Sequence, residues 1–168
     1  MSHRHFYTPR PKVYKRPVML NPLDHIKSRI ALLTQAECDG IMDPVHKSHK
    51  AMREGVATHW DWCNLCTVVN IGLAIEKVAL KGARGHLEAA YLSLDLVGNR
   101  ATTADGTWRG TALHFFEMDA IRDAIDIFPQ QLRLISFAEY QRARRMAEKQ
   151  VREMGGRIFD AQHQALAA

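Results

Sequence analysis

A chain of 168 residues that is 46% hydrophobic, 24% charged and 8% aromatic has the make-up of one ordinary globular domain with a real core. With 10 Gly, 6 Pro and 3 Cys it is not collagen, not a disulfide-held miniprotein and not a wholly disordered chain. The formal net charge is +5, and its placement excludes a uniformly basic body. Residues 1–20 carry Arg4, Arg10, Lys12, Lys15 and Arg16 and no acidic residue. Of the chain's 23 basic residues, 18 therefore remain for 21–168, against 18 acidic ones, so the rest is formally neutral.

The first element is that basic arm. It also holds His3, His5, Phe6, Tyr7 and Tyr14, punctuated by Pro9, Pro11 and Pro17. Such a segment buries too little apolar area to fold alone and is expected to be extended or disordered when free. Asn21-Pro22 then reads as an N-cap followed by proline at the first helical position, where the missing N–H costs nothing. Leu23, Ile26, Ile30 and Leu33 follow at 3, 4 and 3 spacing, a helical apolar stripe. Gly40 is the expected C-terminal stop. Asp43-Pro44 opens a second helix with Ile41, Val45 and Met52 as apolar contacts, closed by Gly55; alternatively the two pieces form one long helix kinked near Gly40 and Pro44.

Thr58 and Asp61 form a capping box with Asp in the usual Glu position. The helix after it runs to about Lys81 and ends at Gly82. Its Leu65, Val68, Val69, Ile71, Leu73, Ile75 and Val78 make it apolar on most sides, which predicts a central position. A fourth helix fits 86–97, with Gly98 after it. Residues 99–113 are Thr-rich around Asp105-Gly106, a signal for a β-hairpin with a type I′ turn or for a plain loop. Met118, Ile121, Ile125 and Phe128 restore the helical period, and Pro129 is expected to end it. Ser136 and Glu139 form a second capping box, with Ile135 and Tyr140 at the hydrophobic-staple positions. The last helix, striped by Tyr140, Ala143, Ala147, Val151 and Met154, closes at Gly155. The whole predicts an all-α, antiparallel bundle of five to six helices, with a small β-hairpin insertion near 100–112 as an option. Its divisions are an arm at 1–20, a bundle at 21–157 and a tail at 158–168.

The common catalytic signatures are missing. There is no phosphate-binding Gly-rich loop, no dinucleotide fingerprint, no H-E-x-x-H, no G-x-S-x-G and no Glu-x-x-His pair for a di-iron site. Cys63-x-x-Cys66 lies inside an apolar helix and reads as small buried hydrophobes rather than a zinc or redox pair. Three cysteines cannot all pair, and a reducing cytoplasm is the economical setting. The most apolar stretch, 63–75, is interrupted by Asn64, Thr67 and Asn70 and is shorter than the roughly 18 residues a membrane span needs. The N-terminus lacks the apolar core of a secretory signal. His46 and His49 share a helix face and, with Asp43, Glu54 or His59, offer a metal reading; Asp119, Asp123 and Asp126 offer another. Polar surface explains both more simply, and no cofactor or metal is expected. Asn70 is expected to be a buried polar residue that fixes helix register.

Two basic features carry the functional reading. Cations interleaved with aromatics in the arm suit phosphate contacts and base stacking. On the last helix Arg142, Arg145, Lys149 and Arg152 recur at 3, 4 and 3 spacing opposite the apolar stripe, with Arg144 and Arg157 nearby and Glu148 placed to pair with Arg152. The arm and this ridge, Arg4, Arg10, Lys12, Lys15, Arg16, Arg142, Arg145, Lys149 and Arg152, are the candidate nucleic-acid-binding residues. The expectation is a non-enzymatic cytoplasmic protein, with no membrane contact, that neutralises phosphates with little base readout, on nucleic acid or on a complex that carries it. A protein-interaction module or inhibitor that occludes a host protein complex is the alternative, and an exposed apolar patch would favour it. A metal-dependent enzyme built on His46 and His49 is the third.

Asn21-Pro22 through Asp43, the 49–52 and 55–58 stretches, 62–74, the 117–131 helix and the 136–144 start together resemble a family of small uncharacterised helical proteins from proteobacterial prophages and integrative elements. The resemblance covers most of 21–147 and rests on capping and core residues. It implies an accessory protein of a mobile element and brings no activity or catalytic residue with it. The basic arm and the Thr-rich stretch near 99–110 depart from the family pattern.

Overall fold

A computed structural model describes residues 22–154, and they form an all-α bundle of six helices. These are α1 (Pro22–Ile30), α2 (Gln35–Arg53), α3 (His59–Val78), α4 (Arg84–Ala101), α5 (Phe115–Leu134) and α6 (Phe137–Met154). The arm at 1–20 and the tail at 158–168 lie outside the described residues.

Helix α3 is the centre. Ten consecutive or near-consecutive residues from Leu65 to Glu76 are buried, and the helix packs against α2, α4, α5 and α6. That is the outcome expected of a helix apolar on nearly every side. Phe128, Leu132, Leu94, Val97 and Ile121 close the core around it with almost no exposure. Asn70 is buried as expected, and its Oδ1 has no hydrogen-bond partner among the described residues.

Helix starts follow side-chain capping closely. Thr58 Oγ1 accepts from the Asp61 N–H (3.3 Å) while the Thr58 N–H donates to Asp61 Oδ2 (2.9 Å). Ser136 and Glu139 do the same for α6, at 3.2 and 2.8 Å. A third box, absent from the expected set, begins α2: the Thr34 N–H donates to Glu37 Oε2 (2.8 Å) and Thr34 Oγ1 accepts from the Glu37 N–H (3.3 Å). This box replaces the expected boundary at Gly40. Helix α1 therefore ends at Ile30, and α2 passes unbroken through both Gly40 and Pro44, as the single-helix alternative had it for this stretch, though that helix begins only at Gln35. Pro44 removes the hydrogen bond to the Gly40 carbonyl; both residues lie on the exposed side of α2, where water can take that carbonyl.

Gly55 closes α2 as expected, in the left-handed region (φ +71°), but two other expected stops moved. Helix α5 continues past Pro129 to Leu134. Helix α4 continues past Gly98 to Ala101 because Gly98 is there for space, not termination. The Trp62 indole lies against it, and an added Cβ would sit 2.6 Å from Trp62 Cζ2. Trp62 Nε1 donates to the Leu94 carbonyl (2.7 Å), fixing the ring. The apolar stripe of α1 is a larger departure: Leu33 is buried, whereas Leu23, Ile26 and Ile30 face solvent.

Residues 102–114 form a pinned loop with one antiparallel bridge, Thr102 with Trp108, and no strand. The Gly106 N–H donates to the Thr103 carbonyl (2.8 Å), and the Thr103 N–H to the Thr107 carbonyl (2.9 Å). Gly106 has φ of +77° and Asp105 does not have positive φ. This is a three-residue turn ending in a left-handed glycine, in place of the expected type I′ turn. Two anchors hold the loop. Trp108 Nε1 donates to the Ala57 carbonyl (2.8 Å). The Arg100 guanidinium donates to both oxygens of Glu117 (2.8 and 2.7 Å) and to the Ala112 carbonyl (3.0 Å).

Glu117 is fully buried and also accepts the His114 N–H (2.7 Å). Burial alone would raise its pKa; the Arg100 guanidinium and the His114 N–H outweigh that and hold it below the ordinary value. Removing one partner of such a pair strands the other, so Arg100→Ala should cost about 3–5 kcal/mol in a denaturant titration. A lowered carboxyl stabilises the fold fully above the ordinary carboxylate range and loses that contribution as pH falls through the lowered value. Thermal stability should therefore fall as pH drops below about 4.5, the ordinary glutamate value. The fall should be shallower in Arg100→Ala, because an unpaired buried carboxyl prefers its proton. Equal acid slopes in the two proteins would contradict this role for the pair.

Candidate nucleic-acid interface

The cationic ridge of α6 exists as a surface. Ala143 and Ala147 turn inward, while Arg142, Arg145, Lys149 and Arg152 all lie exposed at their 3, 4 and 3 spacing. Glu148 does not pair with Arg152 as the spacing suggested. It accepts from Arg144 Nε at 2.7 Å, on the flank of the helix nearer the core, which leaves Arg152 to the ridge. The carboxylate that does reach the ridge is Glu153, 3.8 Å from Lys149 Nζ, with both side chains largely exposed. A pair of that kind contributes well under about 1 kcal/mol and is screened by salt. Arg142, Arg145 and Arg152 make no ion pair among the described residues.

Helix α1 neighbours the helix that carries this ridge. It packs against α6, and the chain just after it is tied to the start of α6: the Leu33 N–H donates to the Ile135 carbonyl (3.3 Å) and the Phe137 N–H to the Ala31 carbonyl (3.1 Å). Lys27 and Arg29 in its last turn are exposed. Pro22 begins α1, so residues 1–20 join the body at a helix that touches α6. The five arm cations, Arg4, Arg10, Lys12, Lys15 and Arg16, are outside the described residues. The sequence reading missed the contribution of Lys27 and Arg29, because it treated 21–33 only as a core stripe; their place on the polar side of that stripe was the available signal.

The other candidates fare differently. His46 is exposed and His49 half-buried; burial, then the charge of Arg53, lowers the His49 pKa, and its Nε2 has no partner among the described residues. Among the described residues no group of three or more His, Cys, Asp or Glu side chains is placed to hold a metal ion. Of the acidic stripe, Asp119 pairs with Arg122 (2.8 Å) and Asp123 faces His86 (3.4 Å). One cleft of about 280 Å³ opens between the end of α3 and the start of α4, lined by Glu76, Lys77, Lys81, Arg84 and Glu88 among others. Its carboxylates are already engaged: Glu76 accepts the Gly82 and Ala83 N–H groups (3.1 and 2.9 Å), and Glu88 takes Arg84 (2.6 Å).

Cys63 and Cys66 sit within α3, and the His59 ring lies 3.7 Å from Cys63 Sγ. His59 also stacks in a cluster with Trp62 and Trp108, ring centroids 5.4–5.6 Å apart, that fastens the pinned loop to α3. Burial pushes both thiols up, Cys66 strongly, and Cys38 as well. A thiol raised in this way is a poor nucleophile and a poor metal ligand.

No family model, no curated protein and no solved structure matches the chain.

The raised thiols make a direct expectation. In native protein near neutral pH, all three cysteines should react with a disulfide reagent at least about ten-fold more slowly than a free thiol, and at the free rate once unfolded. A fast-reacting native Cys63 would show that His59 activates it.

Proposed function

We propose that this protein binds nucleic acid, or a complex that carries it, by neutralising phosphates along α6, α1 and the N-terminal arm. The observation that carries the reading is the ridge of four exposed cations on α6, three of them without an ion pair among the described residues, on a helix that packs against α1, to which the basic arm is joined. Guanidinium groups with no carboxylate to satisfy are suited to bidentate phosphate contacts. Residues 21–168 are formally neutral with these cations included, so the rest of the body is net acidic and the positive field is confined to this side. With no recognition helix evident, the contact is to the backbone and weakly selective for sequence. Within this reading the chain is a non-enzymatic accessory protein of a mobile element, acting in the cytoplasm.

The second reading is a protein-interaction module or an inhibitor that occludes a host protein complex. It draws support from the solvent-facing aliphatics of α1, since an exposed apolar patch usually marks a contact surface.

Fluorescence anisotropy against short single- and double-stranded DNA and RNA, at low and near-physiological salt, tests the first reading. Binding should weaken steeply with salt. Deleting residues 1–20, or changing Arg142 and Arg145 to Glu, should flatten the log–log salt slope on duplex by about 0.9 for each phosphate that is no longer neutralised. Binding and slope unchanged in both variants would remove the arm and the ridge from the interface and turn attention to a protein partner.

A further inference from the structure

The first helix has the pattern of a buried element and the exposure of a surface one. Leu23, Ile26 and Ile30 share one face of α1 by their 3 and 4 spacing. Leu32 follows two residues on and bridges to Ser136. Around that bridge Leu33 and Ile135 are buried, whereas Leu32 and Leu134, the last residue of α5, are exposed. All five aliphatics are between 55% and 67% exposed. They form the largest run of exposed aliphatics on adjoining segments among the described residues; the other exposed pairs, Leu92 with Leu96 and Phe115 with Phe116, are smaller.

We propose that this face, Leu23, Ile26, Ile30, Leu32 and Leu134, is the contact between two copies of this chain, related by a two-fold axis. Area is the first argument. Five aliphatics at this exposure offer on the order of 500 Å² per copy, so two copies bury about 1,000 Å², the floor for a specific interface. An isologous contact needs only that a patch complement itself, which a face of branched aliphatics does. Charge is the second argument, and it fixes the conditions. Lys27 and Arg29 flank the face, and in each copy the segment with five further cations is joined in sequence to this same helix. Two copies therefore repel one another at low salt and associate better when the repulsion is screened or when an anion neutralises the arms. If the nucleic-acid reading holds, the dimer joins two ridges and two arms into one larger cationic surface. That last step rests on the proposed function; the dimer itself does not.

The two processes have opposite salt dependences, and this separates them. Sedimentation equilibrium of the full chain without nucleic acid, at about 0.5 M salt where the screening length is only about 4 Å, reads the dimer alone. The expected mass is twice 19.1 kDa, with the dimer weaker at low salt. Ile26→Asp with Ile30→Asp, and separately Leu134→Asp on another element, should each weaken association about 100-fold, with circular dichroism changed by no more than the nine residues of α1 contribute. All three positions are exposed, so neither variant disturbs the core. A protein of 19.1 kDa at every concentration, including one that instead co-sediments with anionic phosphatidylglycerol vesicles, overturns the proposal. A dimer that survives in both variants overturns it too, by placing the contact elsewhere. A high-salt dimer that binds no nucleic acid at low salt upholds this inference and removes the proposed function.

Discussion

A carboxylate with no exposure at all stays ionised only where its surroundings replace water, and Glu117 has that replacement in Arg100 and the His114 N–H. Much of one side of the molecule follows from this arrangement. Arg100 belongs to the last turn of α4 and Glu117 to the first turn of α5, so their bidentate contact sets the distance and angle at which one helix hands over to the next. The guanidinium's further bond to the Ala112 carbonyl takes in the returning limb of the loop between them. Trp108 then carries the constraint across to α3, where its indole meets Trp62 and His59 and donates to Ala57. A 13-residue connection that would otherwise be loose is in this way fixed at both ends and in the middle.

The fold was legible where a signal was both local and self-sufficient. Thr58 with Asp61 and Ser136 with Glu139 satisfy their own helix starts, whatever surrounds them, and the structure uses both boxes. Helix α3 announced its central place because no polar face was left to put in water. The signals that misled were glycine and proline, whose meaning depends on neighbours far away in sequence. Gly98 looked like a stop and proved to be the floor under Trp62, 36 residues earlier in the chain. Pro44 and Pro129 looked like breaks, but α2 and α5 had enough tertiary contact to continue through them. Thr34 with Glu37 was an equally good local box; it was hidden by an apolar period that ran from Leu23 to Leu33 straight up to it.

The candidate site was legible in a different way. Spacing alone placed Arg142, Arg145, Lys149 and Arg152 on one exposed face, because opposite faces of an amphipathic helix sort themselves. Which glutamate would neutralise them was not legible, since Glu148 has cations on either side at helical spacing and only packing decides between them. The choice of Arg144 puts the strong pair at the edge of the core and leaves the solvent face positive. The relation of α1 to α6 was equally beyond the sequence, for it depends on the pairing of 31–33 with 135–137, about a hundred residues apart.

Helix α1 is nine residues long and buries none of its three large aliphatics. A helix that short has little reason to hold together by itself in water. Its attachments among the described residues are a pair of backbone hydrogen bonds just after its end and contact with α6. Its order is therefore thermodynamically separate from that of the core: the body can be fully folded while the first helix opens and closes at small cost. A partner bound to that face would supply part of the free energy that forms the helix, so recognition and folding of the segment would be one equilibrium. Selection on the contact can then act on residues 22–32 almost independently of selection on the core, and affinity can change without a change in the stability of the body.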